Sequence, residues 1–404
     1  MFWKELPIGK YRSDLFLFFE KYRFLEKYKR LTKYKKRYLY GTLFITIFIS
    51  SFLITYALLT ISKVFVKSES NNSGNSLVNQ SEISTTDPNA PINILLLGYG
   101  GAGHEGGGLT DVMMVASVNH KNDKITFISI PRDTWIELPI RSDKKEHYKI
   151  NNAFAIGNDD EKFPLKEPQF RGGAGGGEMA KYAVTEAIGL PIQYFIAVDF
   201  NGFKKVVDDL GGISVEVPVA FEDYYYPIKG AENLSCGKSA EEIADLTNTL
   251  SGFELEKQFQ CRYEHLQFEK GLVSMDGEIA LKFVRSRHSN THGGDFARSQ
   301  RQFAVLQAVK GKLFELDSLS KWPEFFDQFT QIIRTDVDKE VLRAFLEVNN
   351  NFDSYVLSTI YLSTENVFSE TKSSDGQYIL IPKAGEGNFT EVHTFVGQQL
   401  NLEK

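Results

Sequence analysis

An uncharged run at residues 38–62 constrains this 404-residue chain more than any other feature of its sequence. It holds twenty-five consecutive residues without a charge and is rich in Leu, Ile and Phe. That length crosses the hydrocarbon core of a bilayer with some tilt. The alternative is a helix buried in a protein core, which we disfavour because the run has no polar face. The run therefore predicts one transmembrane helix.

Basic residues crowd the N-terminal flank of this run: Lys33, Lys35, Lys36 and Arg37. Such clusters stay on the cytoplasmic side of a membrane, and no small-residue cleavage site follows the run. The sequence therefore predicts a single-pass protein of the cell membrane. Its N-terminus lies in the cytoplasm, and the rest of the chain lies outside the cell.

Charge is unevenly distributed along the chain. The whole chain carries −6, but its first 37 residues hold twelve Lys/Arg and four Asp/Glu, so the remainder carries −14. A basic tail on an acidic body suits an anionic membrane surface and argues against a nucleic-acid partner. Residues 63–91 are rich in Ser, Asn and Thr. They predict a flexible extracellular linker between the span and a folded domain at residues 92–404.

Strand and helix patterns alternate through the folded domain. Apolar runs at residues 92–97, 112–118 and 124–130 predict buried strands. Helices are predicted at residues 179–188, 200–210, 275–283, 297–314, 322–333, 339–348 and about 390–400. This alternation is typical of a single α/β domain, with a central, mostly mixed sheet and helices on both faces. Residues 221–270 predict an insertion or a long loop.

Positive charge concentrates between residues 283 and 302. Arg285, Arg287, Arg298 and Arg301 lie within seventeen residues, with Asp295 among them. Arginine presents a planar fork of donors that matches phosphate oxygens. In an extended segment Arg285 and Arg287 would point to one side. In a helix capped by Asp295, the side chains of Arg298 and Arg301 would share one face. The stretch predicts a cage for a ligand with more than one phosphate; the alternative is a solvated basic helix face.

Two carboxylates stand at the ends of predicted strands. Asp111 begins one strand, and Asp133 follows the end of the next. If those ends are adjacent, the pair suits Mg²⁺, which keeps water and phosphate oxygens as its other ligands. Either acid could instead cap an element or pair with Arg132, which is itself a fifth candidate phosphate ligand.

Several common catalytic classes lack support in this sequence. It contains neither the G-x-S-x-G of serine hydrolases nor a P-loop. The glycine-rich residues 98–108 follow a strand, as a phosphate-cradling loop would, but they lead into another strand, so a flexible hairpin loop is the alternative. Cys236 and Cys261 can pair or stay free in an exported domain, and their spacing suggests no metal site.

Short motifs occur in a fixed order along the domain. They are L-L-G (96–98), T-D-V-M-M (110–114), S-I-P-R-D-T (129–134), K-I-N-N-A-F (149–154), V-D-F-N-G-F (198–203), F-V-R-S-R (283–287) and D-F-A-R-S-Q-R-Q (295–302). In this order they resemble the LytR-CpsA-Psr family of bacterial cell-wall phosphotransferases. The resemblance runs from about residue 92 to residue 312. It is specific, because several motifs of four or more residues keep their order.

The resemblance implies transfer of a glycan phosphate from a polyprenyl-pyrophosphate carrier to a hydroxyl of peptidoglycan or another surface acceptor. It implies that the substrate is bound by Arg132, Lys149, Asn151, Arg285, Arg287, Arg298 and Arg301. It assigns catalysis to the same five arginines together with Asp295 and Gln302. It also implies Mg²⁺, bound with the help of Asp111; Asp133, at the neighbouring strand end, is the second candidate ligand.

The chain departs from the family pattern at Gly100, where an Asp is usual, and at Leu109, where an Arg is frequent. The missing acid predicts weak Mg²⁺ binding, with His104 or Glu105 as candidate substitutes. It also keeps two other functions open: a module that holds polyprenyl phosphate or pyrophosphate without turnover, and a lipid-pyrophosphate hydrolase. The acceptor hydroxyl itself attacks in the transfer reaction, so no protein nucleophile is needed. Asp133 and Asp295 are the candidate general bases.

Overall fold

The computed structural model describes residues 91–104, 106–289, 291–315, 332–338 and 355–401. The predicted cytoplasmic tail, membrane span and linker lie outside these ranges. So do the predicted helix at residues 339–348 and nearly all of the one at residues 322–333. Within the described ranges, no helix is both long enough and apolar enough to cross a bilayer.

The described residues contain fourteen strands. They are β1 (Ile92–Tyr99), β2 (Thr110–Asn119), β3 (Lys124–Ser129), β4 (Trp135–Arg141), β5 (Lys144–Lys149), β6 (Tyr194–Asp199), β7 (Ile213–Val217), β8 (Phe221–Pro227), β9 (Tyr263–Phe268), β10 (Gly271–Met275), β11 (Ile333–Thr335), β12 (Val356–Tyr361), β13 (Phe368–Lys372) and β14 (Tyr378–Pro382). The α-helices are α1 (Ala153–Asn158), α2 (Gly175–Ile188), α3 (Phe200–Asp209), α4 (Ala240–Thr249), α5 (Phe253–Glu256), α6 (Gly277–Arg285), α7 (Gly294–Glu315) and α8 (Thr390–Gln399).

Six of these strands form the central sheet, in the order β11-β6-β1-β2-β3-β12. β1 is parallel to β6 and β3 is parallel to β12, whereas the other neighbours are antiparallel. β1 and β2 lie at the centre because their nearly continuous apolar sequences suit burial on both faces. The prediction of a mixed central sheet is confirmed.

Helices cover both faces of this sheet. Leu95 and Leu97 point into a large core shared with α1, α2 and α8. Leu96, between them, points to the opposite face because side chains alternate along a strand. On that face Phe127 packs against Phe303 of α7, with the ring centroids 5.8 Å apart. The prediction of helices on both faces is therefore also correct.

A second apolar core is built by α3, α6, α7 and the two-stranded antiparallel sheets β7–β10 and β8–β9. Phe200, Val215, Phe221 and Phe283 are among its buried members. This core fixes the end of α6 and the beginning of α7, and it thereby positions the arginine-rich stretch.

The segment at residues 221–270, which we predicted to be an insertion or a long loop, begins and ends in paired strands. β8 and β9 form an antiparallel hairpin, and residues 228–262 between them form an excursion that carries α4 and α5. A disulfide joins Cys236 to Cys261, with their Cα atoms 5.5 Å apart. The pairing that the sequence left open is thus present.

Several predicted helix boundaries are wrong. α2 begins at Gly175 and not at residue 179, and α7 begins at Gly294 and not at residue 297. The helix predicted at residues 275–283 is α6, which starts at Gly277 because Met275 ends β10 and Asp276 caps the helix. The Asp276 carboxylate accepts the N–H of Ile279 at 2.8 Å. Ile333, placed by prediction at the end of a helix, instead begins β11 and pairs with β6.

Candidate functional site

Several predicted site residues gather at one edge of the central sheet. β1, β3, β6 and β12 end at this edge and β2 begins there, as their pairing directions require. Asp111 at the start of β2, Arg132 just after β3 and Asp199 at the end of β6 therefore share the edge. Ligands of open α/β sheets bind in the crevice beyond the carboxyl ends of the strands, so this edge is the candidate site.

Four predicted site residues form a chain of alternating charges at this edge: Asp111, Arg132, Asp133 and Lys149. Arg132 donates to Asp111 across 2.7 Å, and its Nε lies 3.6 Å from Asp133. The Lys149 ammonium contacts the other oxygen of Asp133 at 2.8 Å. The Asp133 side chain is 9% exposed, against 25% for Arg132 and 34% for Asp111. Asp133 therefore holds two cations from within the protein, while Arg132 and Asp111 are accessible.

Asn151 and Gln302, the two amide residues that we predicted to act in the site, are buried. Asn151 is 5% exposed; its backbone N–H donates to the carbonyl of Arg132 at 3.3 Å. Its side-chain oxygen accepts a hydrogen bond from Asn152 at 3.0 Å. Gln302 is 8% exposed and lies in α7. Asn151 thus supports the backbone of Arg132, and direct contact of either amide with a ligand stays a prediction.

Arg285 ends α6 and lies flat against aromatic rings. Its guanidinium carbon is 4.3 Å from the ring centroid of Phe200, and it donates to the hydroxyl of Tyr226 at 3.1 Å. We predicted that Arg285 and Arg287 share one extended segment, and this is wrong, because the helix continues through Arg285 and only Ser286 leaves it, with ψ 137°. Cation–π stacking orients Arg285 while sparing most of its N–H donors.

The arginine loop, residues 286–293, is held from one side by the buried carboxylate of Asp223. Asp223 is 1% exposed. It accepts hydrogen bonds from the hydroxyl of Ser286 (2.6 Å) and from the backbone N–H groups of Arg287 (3.0 Å) and His288 (3.1 Å). Burial raises the pKa of Asp223, but these hydrogen bonds, together with one from the N–H of Tyr225 at 2.9 Å, outweigh burial, and the net pKa is lowered. Asp223 is therefore an anion that fixes the loop.

The sequence analysis missed Asp223 because the residue lies where we predicted an insertion. One signal was present: Phe221 and Asp223 are two residues apart and both point inward from β8. An acid on the buried face of a strand requires partners, and here the arginine loop supplies them.

Arg301 binds the same loop through its carbonyl groups. It is fully buried, and it donates to the backbone oxygens of Phe283 (3.0 Å), His292 (2.7 Å) and Ser286. Burial, with the positive charge of Arg298 as the second cause, lowers the pKa of Arg301 to about 10. Arg301 thus remains a cation at neutral pH and holds the loop. Its contact with a phosphate stays a prediction.

The other members of the predicted cage lie in the loop and in the first turns of α7. α7 begins at Gly294, so Asp295 is its second residue and the predicted N-cap position is wrong by two. Arg298 is 6% exposed, whereas Arg285 and Arg287 are half-buried. The structure therefore buries Arg298 and Arg301 of α7 and leaves Arg285 and Arg287 partly accessible.

The glycine-rich loop at residues 98–108 closes on itself. The N–H of Gly101 donates to the carbonyl of Gly107 at 2.8 Å, and the N–H of Gly107 donates to the carbonyl of His104 at 3.0 Å. These bonds use donors that a phosphate cradle would direct at its ligand, which favours the alternative of a hairpin loop. Gly101 has φ +80°, and a Cβ there would lie 2.9 Å from the Asp199 carboxylate, so the turn requires glycine.

His104, in this loop, interacts electrostatically with both Arg285 and Asp111. Its ring packs edge-on against Phe200, with centroids 5.1 Å apart. Burial, followed by the positive charge of Arg285, lowers the pKa of His104, and Asp111 opposes the shift. Arg285 and Asp111 thus both act on one imidazole, which is neutral at neutral pH.

Metal binding has little protein support at this edge. In the part of the chain that the structure describes, no group of three or more His, Cys, Asp or Glu side chains is arranged to hold a metal ion. Asp111 offers an accessible carboxylate, already paired with Arg132. At Gly100 a Cβ would lie 3.0 Å from the Cβ of His104, and Glu105 lies outside the described residues. Mg²⁺ would therefore need phosphate and water for most of its ligands.

Comparison with known sequences confirms the family that the motifs predicted. The profile of the LytR_cpsA_psr family matches residues 55–388. A polyisoprenyl-teichoic acid–peptidoglycan teichoic acid transferase, TagU of Oceanobacillus iheyensis, is 28% identical over 255 residues, covering 63% of this chain and 62% of that protein. TagU of Bacillus mycoides is 27% identical over 301 residues, covering 74% of this chain and 77% of that protein.

Solved structures show the same fold. B. subtilis TagV superposes with a TM-score of 0.51 at 22% identity, covering 78% of this chain and 99% of TagV. Protein gbs0355 of Streptococcus agalactiae gives a TM-score of 0.52 at 22% identity, covering 78% of this chain and 89% of that one. At this identity the likeness concerns the mixed sheet and its flanking helices.

Proposed function

Because the chain belongs to the LytR-CpsA-Psr family, we propose that it is a membrane-anchored phosphotransferase. It moves a glycan phosphate from a polyprenyl-pyrophosphate carrier to a hydroxyl of peptidoglycan or of another cell-surface acceptor. The relatives named as teichoic acid transferases support this proposal at the level of the reaction.

The observation that carries the proposal is the fixed cationic edge of the sheet. Arg132 stands on one wall, tied to Asp111. Arg285 stands on the other, stacked on Phe200, beside a loop that buried hydrogen bonds hold in place. Cations fixed before the ligand arrives need no reorganisation when charge develops, which is the main contribution of an enzyme to phosphoryl transfer.

The reaction follows from this arrangement. The oxygen of the acceptor hydroxyl attacks the phosphorus that bears the glycan, and the bond from that phosphorus to the bridging oxygen breaks. Polyprenyl phosphate leaves with the electron pair, and the hydroxyl proton passes to a general base, for which Asp133 and Asp295 are the candidates. Arg132, Arg285 and Arg287 neutralise the phosphate oxygens, while Arg301 keeps the loop in position.

We place the polyprenyl chain on the α7 face of the sheet. That face carries half-buried apolar side chains of β1, β3, α7 and β12: Leu96, Ile125, Leu306 and Leu357. Met114, Ala116 and Phe127 are buried on the same face, whereas the opposite face packs into a much larger core of mostly buried residues. Apolar surface that the described residues leave partly uncovered suits a hydrocarbon ligand.

Mg²⁺ remains part of the proposal, with Asp111 as its protein ligand and the pyrophosphate completing the shell. Asp111→Ala is expected to raise the Mg²⁺ concentration for half-maximal transfer at least about tenfold, because Mg²⁺ prefers charged oxygen ligands. Asp111→Asn is the matched control for shape: it can still accept the Arg132 hydrogen bond but lacks the charge, so it should behave like the alanine variant. Metal titrations of turnover measure both, and an unchanged Mg²⁺ response in both would count against the site.

We also propose that the domain lies outside the cell, anchored by residues 38–62. The basic cluster before this uncharged run supports that orientation. Protease added to intact cells is expected to remove the domain and to leave a small membrane-bound N-terminal fragment. Survival of the domain, while a known external marker is cut, would mean the opposite topology.

Turnover of a purified lipid-pyrophosphate glycan tests the reaction itself. We expect release of polyprenyl phosphate only when an acceptor glycan is present, with the phosphate appearing on the acceptor. Release without acceptor would indicate a hydrolase, and tight binding without release in either condition would indicate a binding module.

A further inference from the structure

The excursion between β8 and β9 contacts the arginine loop through an aromatic ring. Phe253 begins α5, within the excursion. Its ring stacks on the imidazole of His288, with the centroids 4.0 Å apart and the planes 11° apart. His288 directly follows Arg287 in the arginine loop. A residue far away in sequence therefore lies against the side chain next to a proposed pyrophosphate ligand.

The same ring also contacts β8. Phe253 meets the ring of Tyr225 edge-on, with the centroids 5.0 Å apart. The N–H of Tyr225 donates to one carboxylate oxygen of Asp223 at 2.9 Å. The other oxygen of Asp223 accepts the N–H groups of Arg287 and His288 at 3.0 and 3.1 Å. Asp223 and Phe253 thus join the same two partners, β8 and the arginine loop, the first through backbone N–H groups and the second through rings.

The stack restrains a motion that the hydrogen bonds alone permit. A carboxylate oxygen accepts hydrogen bonds over a broad range of directions, so the loop backbone can tilt about Asp223 without breaking its bonds. The His288 imidazole cannot follow such a tilt without leaving the face of Phe253, because its plane lies nearly parallel to that ring. The ring therefore limits the orientation of the loop segment that carries Arg287.

Phe253 is itself held in place by the excursion. The Lys257 ammonium lies 5.5 Å from the centroid of its ring and pairs with the Glu254 carboxylate at 2.5 Å. The Cys236–Cys261 disulfide closes the segment that contains Phe253, which reduces the number of conformations open to that segment. Because Phe253 is half-buried and is not a buried core residue, its removal affects the position of the loop more than the stability of the domain.

We propose that Phe253 is a positioning residue for the transfer reaction: by stacking on His288, it holds Arg287 in the orientation that binds pyrophosphate. This role rests on the proposed function of the arginine loop. Arginine binds phosphate best through two parallel N–H groups of its planar fork, so a tilt of the loop weakens both hydrogen bonds at once. A ring that does not touch the ligand can therefore set the affinity for it.

A double-mutant cycle tests this role, with polyprenyl pyrophosphate without sugar as the probe and the full-length protein in detergent. Phe253→Ala is expected to weaken binding about tenfold, within the range of coupling between residues that share partners. In the Arg287→Ala background the same substitution should have little further effect, because the ring acts only through Arg287. Phe253→Tyr keeps the stacked ring and should restore wild-type affinity.

Tyr224→Ala is the matched control for removing a stacked ring. Tyr224 also stacks on an imidazole of the same hairpin, that of His265, with the centroids 4.0 Å apart and the planes 5° apart. Neither residue belongs to the arginine loop. Its removal should leave the affinity for the probe unchanged.

Amide hydrogen exchange provides a readout that needs no ligand. Exchange of the Arg287 and His288 amides, which donate to Asp223, should be faster in Phe253→Ala than in wild type and unchanged in Tyr224→Ala. The amides of β1 are the internal control. Their exchange should stay the same in Phe253→Ala, whereas it would also accelerate if the ring only stabilised the whole domain.

The two readouts separate the positioning role from the proposed function. Wild-type affinity and wild-type exchange in Phe253→Ala would overturn the positioning role, while binding of the probe by the wild-type protein would still support the proposed function. An equal loss of affinity with and without Arg287 would also overturn it, since the ring would then act by another route. If the wild-type protein does not bind the probe although Phe253→Ala accelerates exchange in the loop, the proposed function fails and the hold of Phe253 on the loop stands.

Discussion

Replacing Asp223 with alanine is expected to destabilise the domain by roughly 3–5 kcal/mol, because each buried donor that loses its acceptor costs about 1–3 kcal/mol. The carboxylate is 1% exposed and accepts the hydroxyl of Ser286 and the N–H groups of Arg287 and His288. Alanine leaves these donors buried without an acceptor. Transfer by the folded fraction should fall by about 100-fold, the scale set by a misplacement of about 1 Å at reacting groups.

Asp276→Ala provides the matched control. Asp276 also accepts a backbone N–H, that of Ile279 at 2.8 Å, but at the opposite end of α6 from the arginine loop. Loss of this cap should cost about 1 kcal/mol and leave the affinity for pyrophosphate intact. Equal losses of transfer in the two variants would mean that Asp223 only stabilises the fold.

The effect of Asp223 on stability has a defined pH dependence. Its pKa in the folded protein lies below the ordinary value of 3.8, so the stabilisation is fully present above the unfolded pKa and disappears as the pH falls through the folded pKa. The difference in unfolding free energy between wild type and Asp223→Ala should therefore be constant from neutral pH down to about pH 5 and shrink below about pH 4. Denaturant unfolding at a series of pH values measures it.

Replacing Arg285 with alanine is expected to weaken binding of a lipid pyrophosphate by roughly 1.5–3 kcal/mol, the range for hydrogen bonds to charged groups. Arg285 stacks on Phe200 at 4.3 Å and bonds Tyr226 through one nitrogen, so its remaining donors can meet phosphate oxygens. Arg285→Lys should recover only part of the affinity, because an ammonium keeps the charge but loses the planar fork. Calorimetry with polyprenyl pyrophosphate that carries no sugar, the sugar-free lipid, measures the affinity of both variants.

Arg262→Ala is the control for removing a stacked arginine elsewhere. Arg262 lies 3.8 Å from the ring centroid of Phe259 in the excursion, outside the proposed pyrophosphate contacts. Its removal should leave the affinity for the sugar-free lipid unchanged. Wild-type affinity in Arg285→Ala would remove this residue from the proposed binding site.

Local pattern predicted the central elements well. The apolar runs became β1, β2 and β3 because a short, continuous apolar run bounded by turn residues is a local property of the sequence. The order of the motifs predicted the family, and the strand ends predicted that Asp111 and Asp133 could lie at one edge. The boundaries failed where a neighbour in space decided them: Met275 belongs to β10 because β7 pairs with it, not because of its own sequence context.

The sequence by itself determined the mixed α/β fold, the family and the concentration of arginines near the site. It did not distinguish the arginine that holds the loop from those that we propose to bind pyrophosphate. That distinction depends on partners far away in sequence: Asp223 meets the loop across 63 to 65 residues, and Arg301 reaches the carbonyl of Phe283 across 18. Periodicity specifies the face of a helix on which a side chain lies. Only the packing of α6, α7 and the β8–β9 hairpin brings the carbonyl of Phe283 to the Arg301 side chain, and the Asp223 carboxylate to the backbone of the arginine loop. That packing therefore decided the roles of Arg301 and Asp223.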